Sequence, residues 1–95
     1  MVSNYIKGRR FEYEVMRLLE KQGALCFRMA GSHSPFDIIA IFRDKILLIQ
    51  CKYNTNISGK DLRELYYLKS FLPQNCLINI AYKRKNARKI DFKLI

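Results

Sequence analysis

The chain has 95 residues, with 18 Lys or Arg against 8 Asp or Glu, a formal charge of +10. That length predicts one domain over residues 1–95, and a 49% hydrophobic content with few Gly and Pro excludes disordered, collagen-like and low-complexity classes. The longest apolar runs, residues 38–42 and 46–49, fall far short of the ~20 residues of a membrane span, and the opening MVSNYIKGRRFEYE lacks the apolar core of a secretory signal. The expectation is a soluble, cytoplasmic, basic domain with no membrane partner.

The charge is uneven. Residues 1–48 hold eight basic and five acidic side chains, residues 49–95 ten and three. Such an excess attracts polyanions and speeds encounter with them, so nucleic acid is the first partner to weigh; a solubilising basic surface is the plain alternative. Cys26, Cys51 and Cys76 have neither C-x-x-C nor zinc-finger spacing and sit in apolar stretches, so they read as reduced core residues. The lone His33 gives no support for zinc.

A helix is predicted over residues 4–22, where Phe11, Val15, Leu18 and Leu19 repeat as one apolar stripe. Ser3 or Asn4 suits its start and Gly23 its stop. Glu12 lies beside the stripe, whereas Glu14 and Glu20 fall further round. A strand over 24–30 follows, then a loop over 31–35. The strongest strand signals are 36–42 and 45–53, separated by Arg43-Asp44. After a loop at 54–57, Ser58-Gly59-Lys60-Asp61 has the Ser-x-x-acid form of a helix start. That helix is predicted to run to about Leu72, ahead of Pro73, burying Leu62, Leu65, Tyr66 and Leu72. Strands at 76–82 and 88–95, joined by the basic turn 83–86, complete an αβββαββ order.

If Arg43-Asp44 is a two-residue turn, Phe42 faces Lys45 and the pairing steps outward until Asp37 faces Gln50. Lys52 then projects from the same face, because strand side chains alternate with period two. The flanking positions on both faces are apolar, so the hairpin is expected to be central and covered on both sides. Burying unsatisfied polar groups there would cost on the order of 2–7 kcal/mol each. A cluster of carboxylate, carboxamide and ammonium is tolerable where a divalent metal, water and a phosphate supply partners. An ordinary Asp37–Lys52 salt bridge at a strand end is the other reading, and a bulged or longer turn would change the register.

Pro35-Phe36-Asp37 followed, after a hairpin's length of apolar residues, by Gln50-Cys51-Lys52 resembles the PD-(D/E)xK nuclease superfamily. The N-terminal half is similar to archaeal-type Holliday junction resolvases, through Lys7-Gly8, Glu12-Tyr13-Glu14, the stretch 23–27, Arg28 and Gly31-Ser32. The resemblance covers roughly residues 5–53. It implies a restriction-endonuclease-like α/β fold, a mixed central sheet flanked by helices. It implies further that Glu12 and Asp37 hold Mg²⁺ (with Mn²⁺ able to substitute), that Lys52 orients water and offsets charge, and that Ser32 lies near the scissile phosphate. Gln50 departs from the usual Glu of that slot. Its oxygen remains an acceptable third ligand but is neutral, which lowers metal affinity. Lys7, Arg9, Arg10, Arg28, Lys60 and Arg63 are expected to contact DNA phosphates near the metal, with Lys83, Arg84 and Lys85 gripping a more distal part. The implied activity is structure-selective cleavage of branched DNA by a homodimer. Another nuclease on the same core, or a DNA-binding module with a degenerate site, stays open.

Overall fold

The structure, a computed structural model, describes residues 4–29 and 33–95; Ser3, Ala30, Gly31 and Ser32 lie outside the described residues. Its elements are α1 (Asn4–Lys21), β1 (Leu25–Arg28), β2 (Ile38–Ile41), β3 (Ile46–Tyr53), α2 (Gly59–Lys69), β4 (Cys76–Lys83) and β5 (Asp91–Leu94). The order is the expected αβββαββ. The strands form one five-stranded sheet in spatial order β1-β2-β3-β4-β5. All neighbours are antiparallel except β3 and β4. Parallel neighbours need a crossover, and α2 supplies it.

The helix α1 buries Phe11, Val15 and Leu19 against Ile38, Ala40, Leu47, Ile49 and Ala81 of the sheet. Gly23 ends it at φ +100°, a backbone region that suits glycine. Its N–H donates to Glu20 O, and that of Ala24 to Leu19 O, so the exposed helix carbonyls are satisfied. On the opposite face α2 buries Leu65 among Phe36, Ile78, Ile80 and Ile95. Ser58 caps α2, its Oγ accepting the Asp61 N–H at 3.0 Å. The helix stops at Lys69, before the expected Leu72, because the Ser70 hydroxyl donates to Tyr67 O at 2.6 Å and turns the chain. Tyr66 is 52% exposed, so it leaves the predicted buried stripe.

The two-residue Arg43-Asp44 turn is present: the Phe42 N–H donates to Lys45 O at 2.8 Å, and Ile41 pairs with Ile46 out to Ile38 with Ile49. β3 is covered on both faces, but β2 is not. On the α2 side, Leu25, Phe27 and Ile41 remain exposed, because α2 lies over the β4 half of the sheet. The first, second and last strands are shorter than predicted. Cys26, Cys51 and Cys76 are free and only partly buried. Among the described residues, no helix is long and apolar enough to cross a membrane.

Candidate active site

The expected Asp37–Gln50 pairing gives way to a bulge. The Asp37 N–H donates to Ile49 O at 2.7 Å, although Ile49 is already registered with Ile38, so two residues of one chain address a single residue of the other. The Asp37 carbonyl accepts the Met29 N–H at 2.8 Å. Its side chain turns to β3, where Oδ2 accepts the Cys51 N–H at 2.8 Å. The carboxylate therefore lies against the backbone between Gln50 and Lys52. The Asp37 carboxylate reaches the Gln50–Lys52 segment by a route that the regular ladder did not contain.

Burial pushes the Asp37 carboxyl above the ordinary carboxylate range, and the nearby Glu12 adds to this. The Cys51 N–H, Lys52 and Arg28 pull the other way without cancelling it. Gln50 Oε1 is buried and has no hydrogen-bond partner among the described residues. Buried polar atoms are rarely left so. Lys52 Nζ lies 3.3 Å from Asp61 Oδ2, and this contact, with the Ser58 cap, holds the Asp61 carboxyl below its usual range.

Glu12 comes from α1 with its carboxylate engaged by Arg28, whose Nε donates to Oε1 at 2.8 Å. The Arg28 guanidinium also sits over the Tyr13 ring at 5.4 Å, with Arg9 at 5.9 Å. Arg28, expected as a phosphate contact, is thus a counter-ion for a candidate metal ligand. Asp37 and Gln50 present a carboxylate and an orphaned amide oxygen, a donor set that fits a hard divalent cation. Among the described residues no three His, Cys, Asp or Glu side chains form a metal-binding group. Ser32 lies outside the described residues.

The basic residues divide. Lys7 and Arg10 lie with Tyr53 and Lys83 in one shallow surface depression. Lys60 and Arg63 are exposed on the first turns of α2. The 83–85 run is not distal: Tyr53 is registered with Lys83, so it stands at the Lys52 end of the sheet. Lys83 is bonded to Glu14 at 2.8 Å and Arg84 to Asn56 Oδ1 at 2.7 Å, while the Lys85 N–H donates to Asn54 Oδ1. Sequence reasoning missed Asp61 as the Lys52 partner. The capping pattern had placed it in the first turn of α2; only the parallel β3–β4 crossover brings that turn to the end of β3.

Comparison with known proteins bears directly on this arrangement. The sequence model of the family described as archaeal Holliday junction resolvase (hjc) matches residues 3–95. The chain is 38% identical over 69 residues to the crossover junction endodeoxyribonuclease Hjc of Methanocaldococcus jannaschii, covering 68% of this chain and 51% of that protein. It therefore spans about half the length of that relative. The structure of Archaeoglobus fulgidus Hjc, described as a Holliday junction resolvase, superposes with a TM-score of 0.69 at 28% identity, over 90% of this chain and 73% of that one.

Proposed function

The chain belongs to the archaeal Holliday junction resolvase family (hjc), and on that footing we propose that it is a metal-dependent endodeoxyribonuclease that nicks four-way DNA junctions as a homodimer. The observation that carries the reading is the end of the central sheet, where the Asp37 carboxylate accepts the Cys51 N–H between Lys52 and Gln50, whose side-chain oxygen is buried with no partner among the described residues. Family membership implies a divalent metal; Mg²⁺, replaceable by Mn²⁺, suits oxygen ligands from Asp37, Gln50 and Glu12. When bound, such an ion polarises the phosphate and lowers the pKa of water.

The chain's own residues do the remainder. Asp37 must be ionised, and its bond from the Cys51 N–H fixes the direction of the carboxylate. Glu12 would help to hold the cation if its carboxylate left Arg28, whose guanidinium would then be available to a phosphate oxygen. Lys52 aims its ammonium from the same strand face as Gln50 and offsets charge developing on the phosphate. Lys7, Arg9, Arg10, Lys60, Arg63, Lys83, Arg84 and Lys85 steer and hold the duplex arms, and the family resemblance assigns Ser32, outside the described residues, to the scissile phosphate. Two symmetric nicks require two such sites, hence a two-fold dimer. The exposed apolar residues Leu25, Phe27 and Ile41 on the part of the sheet face left open by α2, together with Tyr67 and Phe71, support a second copy packing there.

The test is cleavage of labelled junction, duplex, nicked and single-stranded DNA with Mg²⁺, Mn²⁺ or chelator. Paired symmetric nicks in the junction alone are expected, lost in Lys52→Ala with junction binding retained. Cuts in plain duplex would select another nuclease on this core. Gln50 is the one feature favouring a purely binding module, and junction binding without nicks under every metal would select that reading.

A further inference from the structure

On the far side of Lys52 from Asp37 lies a cavity of about 240 Å³, whose polar lining is Lys52, Thr55, Asn56, Tyr82, Lys83, Arg84 and Lys93. It is smaller than sites for drug-sized molecules, ~300–1,000 Å³, and has the scale of a phosphate with part of its sugar. We propose that this cavity is a second phosphate site, holding a DNA backbone phosphate that flanks the one cut. The inference rests on the reading of DNA as substrate.

The sheet register builds the cavity. In adjoining strands Gln50 is registered with Ile80 and Ile80 with Lys93, while Lys52 is registered with Tyr82. Registered neighbours share a face, so Lys93 stands on the same face as Gln50 and Lys52, two strands or about 10 Å away. A lysine stem covers much of that span, and both lysines line the cavity, the Lys52 ammonium lying 3.3 Å from Asp61 Oδ2. Loop 54–57 closes a third side with the Thr55 hydroxyl and Asn56.

Charge decides the class of ligand. Four cations, Lys52, Lys83, Arg84 and Lys93, line the cavity and no carboxylate does. Asp91, the acidic residue on this face of β5, is registered with Tyr82 and is not among the lining residues. Lys93 makes no ion pair among the described residues. Arg84 spends one N–H direction on Asn56 Oδ1 and keeps the others. Lys83 lines the cavity too, but its ammonium is bonded to Glu14 at 2.8 Å. A single phosphate accepts from Lys93, Arg84 and Thr55 together. Since Lys52 borders both the cavity and the cleavage site, the phosphate taken here adjoins the scissile one along the same strand.

The test is four-way junction binding in chelator, followed by fluorescence anisotropy across a range of salt. Each lost phosphate contact lowers the slope of log K against log salt by about 1. Lys93→Gln is expected to lower it by about 1, Lys93→Arg to restore it, and Lys45→Gln, at the opposite end of β3, to leave it unchanged. A neutral methylphosphonate placed on either side of the cut then identifies the flank: at one position it weakens the wild type about fivefold and Lys93→Gln hardly at all. An unchanged slope in Lys93→Gln, or an equal fall in Lys45→Gln, overturns the second site while leaving the nuclease reading intact. Failure of the wild type to bind junctions overturns both.

Discussion

Asp37→Asn should make the metal-free protein more stable while destroying cleavage. The substitution keeps an oxygen for the Cys51 N–H but makes that hydrogen bond neutral, a loss of about 1 kcal/mol. Against this it removes a partly buried charge. Full burial of an ion costs several kcal/mol, so a half-buried one costs about 2, with repulsion from Glu12 added. The balance is a gain of about 1 kcal/mol, or about 4–8 °C in Tm for a domain of this size. The groups around the carboxylate are Glu12 from α1, Arg28 from β1, and Lys52 with the Cys51 N–H from β3. Because the folded-state pKa is raised, the native wild type binds its proton more tightly than the unfolded chain does. Ionisation therefore weakens the fold as pH rises. The variant should equal the wild type below the ordinary carboxylate range, pull ahead as pH rises, and hold a constant lead above the raised value. Thermal unfolding in chelator from acid to neutral pH measures this. Adding Mg²⁺ at ten times its Kd should then stabilise only the wild type, by about 1.4 kcal/mol. A variant that is less stable at neutral pH, or a lead independent of pH, would refute the burial argument.

Gln50→Glu supplies the missing charge, so metal should bind on the order of tenfold more tightly, read from the Mg²⁺ dependence of Tm. The same variant should be less stable in chelator, because a second carboxylate joins Asp37. Asp61→Asn frees Lys52 from its partner. It should lower the single-turnover cleavage rate several-fold, with junction affinity unchanged and Tm slightly lowered by loss of the ion pair; an unaltered rate would show that Asp61 does not position the lysine. Leu65→Ala, at a fully buried position under α2, should cost about 2–5 kcal/mol in denaturant unfolding; a loss under 1 kcal/mol would mean that α2 packs less tightly than the buried cluster implies.

The hairpin shows how far the sequence could be read. The Arg43-Asp44 break was enough to place Ile38–Ile41 against Ile46–Ile49 residue for residue, because a two-residue turn fixes which residues of a hairpin face each other. The count failed one residue beyond. Asp37 leaves the ladder because its own carboxylate replaces a backbone acceptor for Cys51, and a side chain competing for the backbone has no periodic signature. The chemistry of Gln50 and Lys52 was visible as polar residues in an apolar strand, and their environment was not. Which carboxylate would meet Lys52 depended on the parallel pairing of β3 with β4, a contact between segments far apart in sequence. The same pairing moved Lys83, Arg84 and Lys85 to the active end.

The bulge at Asp37 separates two tasks that adjacent residues perform. Its N–H is fastened to β3 and its carbonyl to the chain leaving β1, so the residue is clamped from both sides by main-chain atoms. The position of the carboxylate is therefore set by main-chain atoms of its neighbours, and a substitution at Asp37 that keeps the two backbone bonds changes the chemistry at this point without moving it.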